Sequence, residues 1–235
     1  MLFSPQIPLQ LEPSREQGFG NFVAGQNGPA LAALLAVPEN AESQVYLSGP
    51  PGSGKTHLLN ALCLAARERG MTAFYASLGT AAASPGLLEG LEQVELVCVD
   101  DLQAVAGDPQ WEEALFRCLN RLRERRGSWV VAGNARLSAL PLALPDLVSR
   151  LQWGLRLQLQ PLDDADKLLV LEQHAAALGI ELPEEVGQYL IRRSSRHLAH
   201  LVHYLEGMQQ AAFVSKRRIT VPLAREIIRR HGEPV

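Results

Sequence analysis

Eight consecutive residues, Gly49, Pro50, Pro51, Gly52, Ser53, Gly54, Lys55 and Thr56, follow the pattern G-x-x-x-x-G-K-[ST]. Their types and spacing suit one task, holding a polyphosphate. Glycines let the backbone turn so that successive N–H groups face inward around phosphate oxygens, beside the positive end of a helix. Lys55 is then within reach of the β- and γ-phosphates, and the Thr56 hydroxyl within reach of Mg²⁺. Further on, the apolar run Val97-Cys98-Val99 ends in the paired acids Asp100 and Asp101. A carboxylate at that strand end supplies the counter-charge that Mg²⁺ and its waters need. Asp100 takes the metal side. Asp101 either orients an attacking water or caps a helix beginning at Leu102.

Three further residues have two readings each. Asn134, directly after another apolar run, either contacts the γ-phosphate or the attacking water, or serves only as a turn residue. Arg150, near a helix end, either solubilises the surface or reaches a neighbour's phosphates. A guanidinium supplied in trans is worth roughly 10³–10⁵ in rate for phosphoryl transfer. Arg196, at the start of a late helix, faces either a nucleotide or solvent.

Positioning these groups requires a strand before the loop and a helix after it. Val45–Ser48 reads as a buried strand, and His57–Ala66 continues as a helix. Four more apolar runs follow, at 72–77, 96–100, 129–133 and 155–159, the last with an alternation that suits an edge strand. Helical patterns lie between them at about 57–69, 109–126 and 144–150. This alternation predicts an α/β fold, a mostly parallel five-stranded sheet with helices on both faces. After Pro161 the pattern becomes helical only, at about 164–178, 183–193, 196–214 and 221–230, with Asp163 or Asp164, Ser194 or Ser195, and Thr220 as starts. The expected organisation is a tail over 1–18, a nucleotide-binding core over 19–161 and a small all-helical lid over 162–235. Ala81–Gly86 is expected to be a loop.

Composition narrows the class. Of 235 residues, 47% are hydrophobic and 20% charged, which suits a soluble globular chain. The net charge of −3 gives no general attraction to nucleic acid. Cys63, Cys98 and Cys118 are widely spaced in apolar patterns and read as free thiols in a reducing, cytoplasmic setting. No apolar run reaches membrane-spanning length, so no membrane partner is expected. His197, His200 and His203 step by three along a helix, drift around its surface and lack an accompanying acid, so they are not read as a metal site. The basic runs Arg121–Arg126, Lys216–Arg218 and Arg229–Arg230 read mainly as solvated faces, with DNA as an indirect partner at most.

The ordered segments GPPGSGKTHLLNAL, VCVDDLQAVAG, VVAGNARL and LVSRLQWGL resemble the AAA+ core of the bacterial initiator DnaA. Phe19–Asn27 is similar to that family's adenine-pocket segment, which implies that Phe22 and Val23 lie near the base; His57, directly after the loop, is a further candidate for cofactor binding. The resemblance also implies Arg150 as an arginine finger, Arg196 as the second nucleotide sensor, and a helical lid. The chain stops soon after the expected lid, so it is not expected to read an origin sequence as DnaA does.

Ahead of this core, Gln6-Ile7-Pro8-Leu9-Gln10-Leu11 reads as a short docking peptide. Gln6 can satisfy polar groups at a pocket mouth while Ile7, Leu9 and Leu11 meet apolar subsites. It is similar to the hexapeptide by which polymerases and their accessories bind the sliding clamp. Joined to a DnaA-like core it resembles the Hda group, clamp-bound regulators that promote inactivation of DnaA. That resemblance implies the clamp and DnaA as partners, bound ADP (or ATP) with Mg²⁺, weak or absent turnover of its own, and stimulation of hydrolysis on DnaA. A homodimer or larger oligomer fits AAA+ packing. The competing readings are a helicase loader or replication-fork adaptor and, with no acceptor-substrate cluster to support it, a metabolic phosphoryl-transfer enzyme.

Overall fold

The structure is a computed structural model that describes residues 18–81, 83–193, 198–215 and 217–231. Five strands, β1 (Gln44–Ser48), β2 (Ala73–Ser77), β3 (Leu96–Asp100), β4 (Ser128–Gly133) and β5 (Leu155–Gln158), form one sheet in the order β2-β3-β4-β1-β5. Every pairing is parallel, with Tyr46 opposite Val131 on one side of β1 and Arg156 on the other. Strands buried on both faces need apolar residues at every position. Accordingly β3 and β4 are buried throughout, whereas β5, at the edge, is mostly exposed.

Alternate residues of the strands feed two layers. Val97, Val99, Trp129 and Val131 pack with α3 (Pro109–Glu124) and α4 (Pro145–Gln152) through Leu115, Leu119, Leu147 and Leu151. Leu96, Cys98, Val130 and Ala132 pack on the other face with α1 (Gly28–Leu35) and α2 (Lys55–Glu68) through Leu34, Leu58, Leu59 and Leu62. The sequence pattern did not single out α1, a short, all-apolar piece with no polar face to give it a period. Around the loop expected at Ala81–Gly86, Pro85–Leu88 forms a 3₁₀ turn.

Beyond β5 the chain is helical: α5 (Asp164–Ala177), α6 (Glu184–Arg193), α7 (Leu198–Ser215) and α8 (Val221–His231). They enclose their own core of Leu171, Leu190, Leu201, Tyr204, Leu205, Met208 and Ile227. Asp163 starts α5 by accepting a hydrogen bond from the Asp166 amide at 2.8 Å. Among the described residues no helix is long and apolar enough to cross a membrane.

Candidate nucleotide site and the α4 arginine

Gly49–Gly54 turns between β1 and α2 with Gly52 at φ +76° and Gly54 at φ +91°. Only glycine adopts these angles without strain. A side chain on Gly54 would also run into the Phe22 ring, with Cβ 2.7 Å from Cε2. Ser53 Oγ, at the floor of the loop, is buried and has no hydrogen-bond partner among the described residues. A bare cradle of left-handed glycines with an orphaned hydroxyl at its base fits phosphate oxygens, which would accept from that hydroxyl and from the loop amides.

Lys55 is nearly buried, and its ammonium donates to the carbonyls of Gly49 and Pro50 at 2.8 and 3.0 Å. Burial lowers its pKa, while Asp100 and Asp101 pull it back up. Thr56 Oγ1 donates to Asp100 Oδ2 at 2.6 Å, and the Tyr75 hydroxyl donates to the same oxygen at 3.2 Å. The Asp101 amide donates to Asp100 Oδ1 at 2.9 Å. Asp100 is only 1% exposed, and that burial raises its pKa against the lowering effect of the Thr56 hydrogen bond. A buried hydroxyl–carboxylate pair beside a phosphate cradle is a donor set suited to Mg²⁺, with Thr56 and Asp100 as its oxygens.

Asp101 sits at φ +61°, directly before the 3₁₀ turn Leu102–Ala104, and its side chain makes no capping bond to that turn. Instead its oxygens accept from Ser77 Oγ at 3.1 Å and Gln103 Nε2 at 2.9 Å. Gln103 Oε1 in turn accepts from the Asn134 amide at 3.0 Å, tying the ends of β3 and β4 together. The structure thus brings Lys55, Thr56, Asp100, Asp101 and Asn134 to one end of the sheet. Gln103 was missed in the sequence because a glutamine in a turn carries no pattern.

The segment before α1 closes over this end. Phe22 packs on His57 with ring centroids 5.5 Å apart, and His57 Nε2 lies 3.0 Å from the Gly18 carbonyl. Burial lowers the His57 pKa, the Gly18 contact opposing it. Val23 is buried beside them. Asn27, also missed, is buried and binds the Gln160 backbone both ways: Nδ2 donates to its carbonyl at 3.0 Å, and Oδ1 accepts from its amide at 2.7 Å. Nearby, a side chain on Gly25 would collide with Asp166 of α5. One short segment therefore touches the phosphate loop, the crossing into the helical unit and α5. The start of α7 also approaches the loop, since a Cβ on Gly52 would lie 3.6 Å from the Leu198 amide. Arg196 lies outside the described residues, as do Gln6, Ile7, Leu9 and Leu11.

Arg150 belongs to a different neighbourhood. The sequence allowed it to project outward; the structure folds it back. Its Nη2 donates to Asn120 Oδ1 of α3, and its guanidinium lies 4.5 Å from the Trp153 ring centroid, as does that of Arg123. Nε and Nη1 are buried without partners among the described residues. Burial and the neighbouring Arg123 charge both lower its pKa. The physical reason is Trp153, a 60%-exposed ring at the end of α4 whose π-face attracts both cations. Glu112 fixes the start of α4: fully buried, it accepts from the amides of Gly107, Ala143 and Leu144 at 2.6–3.0 Å.

The family model of the bacterial DnaA ATPase domain matches residues 14–158, and that of the Hda lid domain matches residues 164–228. The chain belongs to the DnaA-related AAA+ family. Among solved structures, domain III of Thermotoga maritima DnaA superposes with TM-score 0.82 at 22% identity, covering 94% of this chain and 98% of that one. AMPPCP-bound DnaA from Aquifex aeolicus gives 0.71 at 21% identity, covering 92% and 70%. A variant of Thermotoga maritima RuvB gives 0.68 at 18% identity, covering 91% and 71%. At these identities the structural likeness is one of fold. The five-stranded parallel AAA+ sheet and following helical unit expected from the sequence are what the structure contains.

Proposed function

We propose that this chain is a nucleotide-holding regulator of replication initiation that acts on DnaA. The observation that carries this reading is the joining, in one chain, of a DnaA ATPase-type core to an Hda-type lid. In the proposal, ADP or ATP sits in the Gly49–Thr56 loop with its base toward Phe22, Val23 and His57. Mg²⁺ is held by Thr56 and Asp100. Arg196 senses the nucleotide from the lid. Asp101 and Asn134 bear on the γ-phosphate side; with both Asp101 oxygens engaged by Ser77 and Gln103, this chain's own turnover is slow.

Gln6, Ile7, Leu9 and Leu11 dock on the sliding clamp, which concentrates the protein where synthesis has begun. Arg150 then enters the ATP site of DnaA and speeds hydrolysis by stabilising charge on the transferring phosphoryl group. Joining two weak contacts on one chain raises avidity by roughly 10²–10⁴. The arrangement around Trp153 supports the role of Arg150: none of its described contacts is with its own phosphate loop.

The test is conversion of DnaA-bound ATP to ADP in the presence of clamp-loaded DNA. Stimulation is expected from this chain and is expected to vanish for Arg150→Ala and for a Gln6→Ala/Leu9→Ala variant. Stimulation that survives both changes rejects the proposal.

A further inference from the structure

Four arginines of the α/β core, Arg69, Arg117, Arg121 and Arg126, face Glu39, Glu113, Glu92 and Glu42. On the helical unit, Glu226 pairs with both Arg217 and Arg230 along one flank of α8. Among the described residues, the neighbouring flank has no acid paired with its arginines. Arg225 and Arg229 of α8 and Arg193 at the end of α6 line a cavity of about 300 Å³ with Tyr189 and Ile228. All three guanidinium groups are exposed and, among the described residues, none has an ion-pair or hydrogen-bond partner.

This arrangement costs free energy in isolation. Like charges four apart on a helix repel, and a third cation across the groove adds to that. The nearest acid on α6 by sequence, Glu185, precedes Arg193 by about 12 Å of helix, further than the ~8–10 Å screening length. Glu226, the acid of α8, stands on the adjoining face, pairs with Arg217 and Arg230, and does not line this cavity.

We propose that the Arg193–Arg225–Arg229 groove binds the phosphate backbone of a nucleic acid. Guanidinium forks match phosphate oxygens, and the Tyr189 ring among them is a surface on which an unpaired base can stack. With a net charge of −3, the chain as a whole does not attract polyanions, so the contact is confined to this groove. A bilayer would need an apolar wedge beside the cations. Of the exposed large apolar residues of this unit, Leu169 lies on α5 and Phe213 and Val214 close α7; none lines this cavity, and Val214 lines the Arg217–Glu226–Arg230 side instead.

The experiment is fluorescence anisotropy of labelled duplex and single-stranded oligonucleotides with the full chain, in the presence of ADP and Mg²⁺. Binding is expected at dissociation constants of ~10⁻⁴–10⁻⁶ M, with a log–log salt slope of about −2 to −3 for three phosphate contacts. Arg193→Ala/Arg225→Ala/Arg229→Ala should flatten that slope by about two to three and weaken binding at least tenfold at ~50 mM salt, while Arg69→Ala changes neither. Loss of affinity in Tyr189→Ala for the single strand alone identifies the unpaired form as the ligand; loss for neither strand with the arginine effect intact identifies the duplex. Unchanged affinity and slope in the triple variant overturn the proposal. So does tighter binding of polyglutamate or phosphatidylserine vesicles than of either oligonucleotide. The readout needs neither clamp nor DnaA, so its failure leaves the regulatory reading standing, and the reverse holds too.

Discussion

At the loop end of the sheet, charges face groups that match them; at the end of α4 they do not. Asp100 accepts from Thr56, Tyr75 and the Asp101 amide, Asp101 accepts from Ser77 and Gln103, and Lys55 donates to two carbonyls. Arg150 has Asn120 and the face of Trp153, but two of its buried donors have nothing and another cation stands beside it. A buried donor without a partner costs about 1–3 kcal/mol. The first region is built to hold a ligand in a fixed place. The second has two buried donors for which the described residues supply no acceptor, the feature that the proposed role of Arg150 would use.

The sharpest way to break this contrast is to replace the arginine. Under the proposed function, Arg150→Met should lower the rate of ATP hydrolysis on DnaA by roughly 10³–10⁵. The same change should leave this chain's thermal stability unaltered or raised, because unmatched donors leave the interior. A melting temperature that drops by several degrees would mean that the Asn120 and Trp153 contacts hold the fold together, and that Arg150 is structural.

Asp100→Asn tests the matched region. Burial raises the Asp100 pKa above its ordinary 3.8, so the folded state favours the protonated form. Its contribution to stability is greatest below 3.8 and is lost as pH rises through the raised value. At neutral pH the ionised carboxylate is a cost that Mg²⁺ offsets. The variant should therefore be more stable without nucleotide, yet lose about 1.5–3 kcal/mol of Mg²⁺-dependent nucleotide affinity, the worth of a charged contact. Calorimetry of ADP binding with and without Mg²⁺ reads this directly, and an unchanged Mg²⁺ dependence would remove Asp100 from the metal site.

Asn27→Ala sharpens the link between the site and the helical unit. It leaves the Gln160 amide and carbonyl unpaired, a loss of about 1–3 kcal/mol. The telling measurement is the stabilisation gained on adding ADP. If Asn27 couples the loop to the α5 crossing, that gain shrinks as well; if Asn27 is only a strut, the melting temperature falls and the ADP gain stays the same.

The fold was readable in the sequence because its periods are strong. The central apolar runs are buried on both faces, the four late helices share one core, and the glycine pattern marks a loop whose φ angles favour glycine. What could not be read were single polar residues that act over distance. Asn27 meets Gln160 across 133 positions, and Glu112 holds the start of α4 from inside an amphipathic helix. Neither has a spacing rule, since each is defined by the backbone it finds after folding. The direction of Arg150 was unreadable for the same reason: Trp153 follows it closely, but the ring's attraction depends on where α4 ends.

The smallest expected effect concerns His57. Burial lowers its pKa below the ordinary 6.5, so the folded chain prefers the neutral ring. Its contribution to stability is complete above 6.5 and is lost as pH falls from there through the lowered folded value, with a slope of at most about 1.4 kcal/mol per pH unit. Below that range the charged ring is forced against Phe22, in the segment that also carries Asn27 and closes the loop. Melting curves between pH 7 and 5 should therefore show an acid-side loss that His57→Gln removes, since glutamine keeps a donor for the Gly18 carbonyl without titrating. ADP affinity should fall over the same interval in the parent chain and stay flat in the variant. If affinity holds while stability falls, His57 braces the entry segment without bearing on the base, and the link between that segment and the nucleotide runs through Phe22 and Asn27 alone.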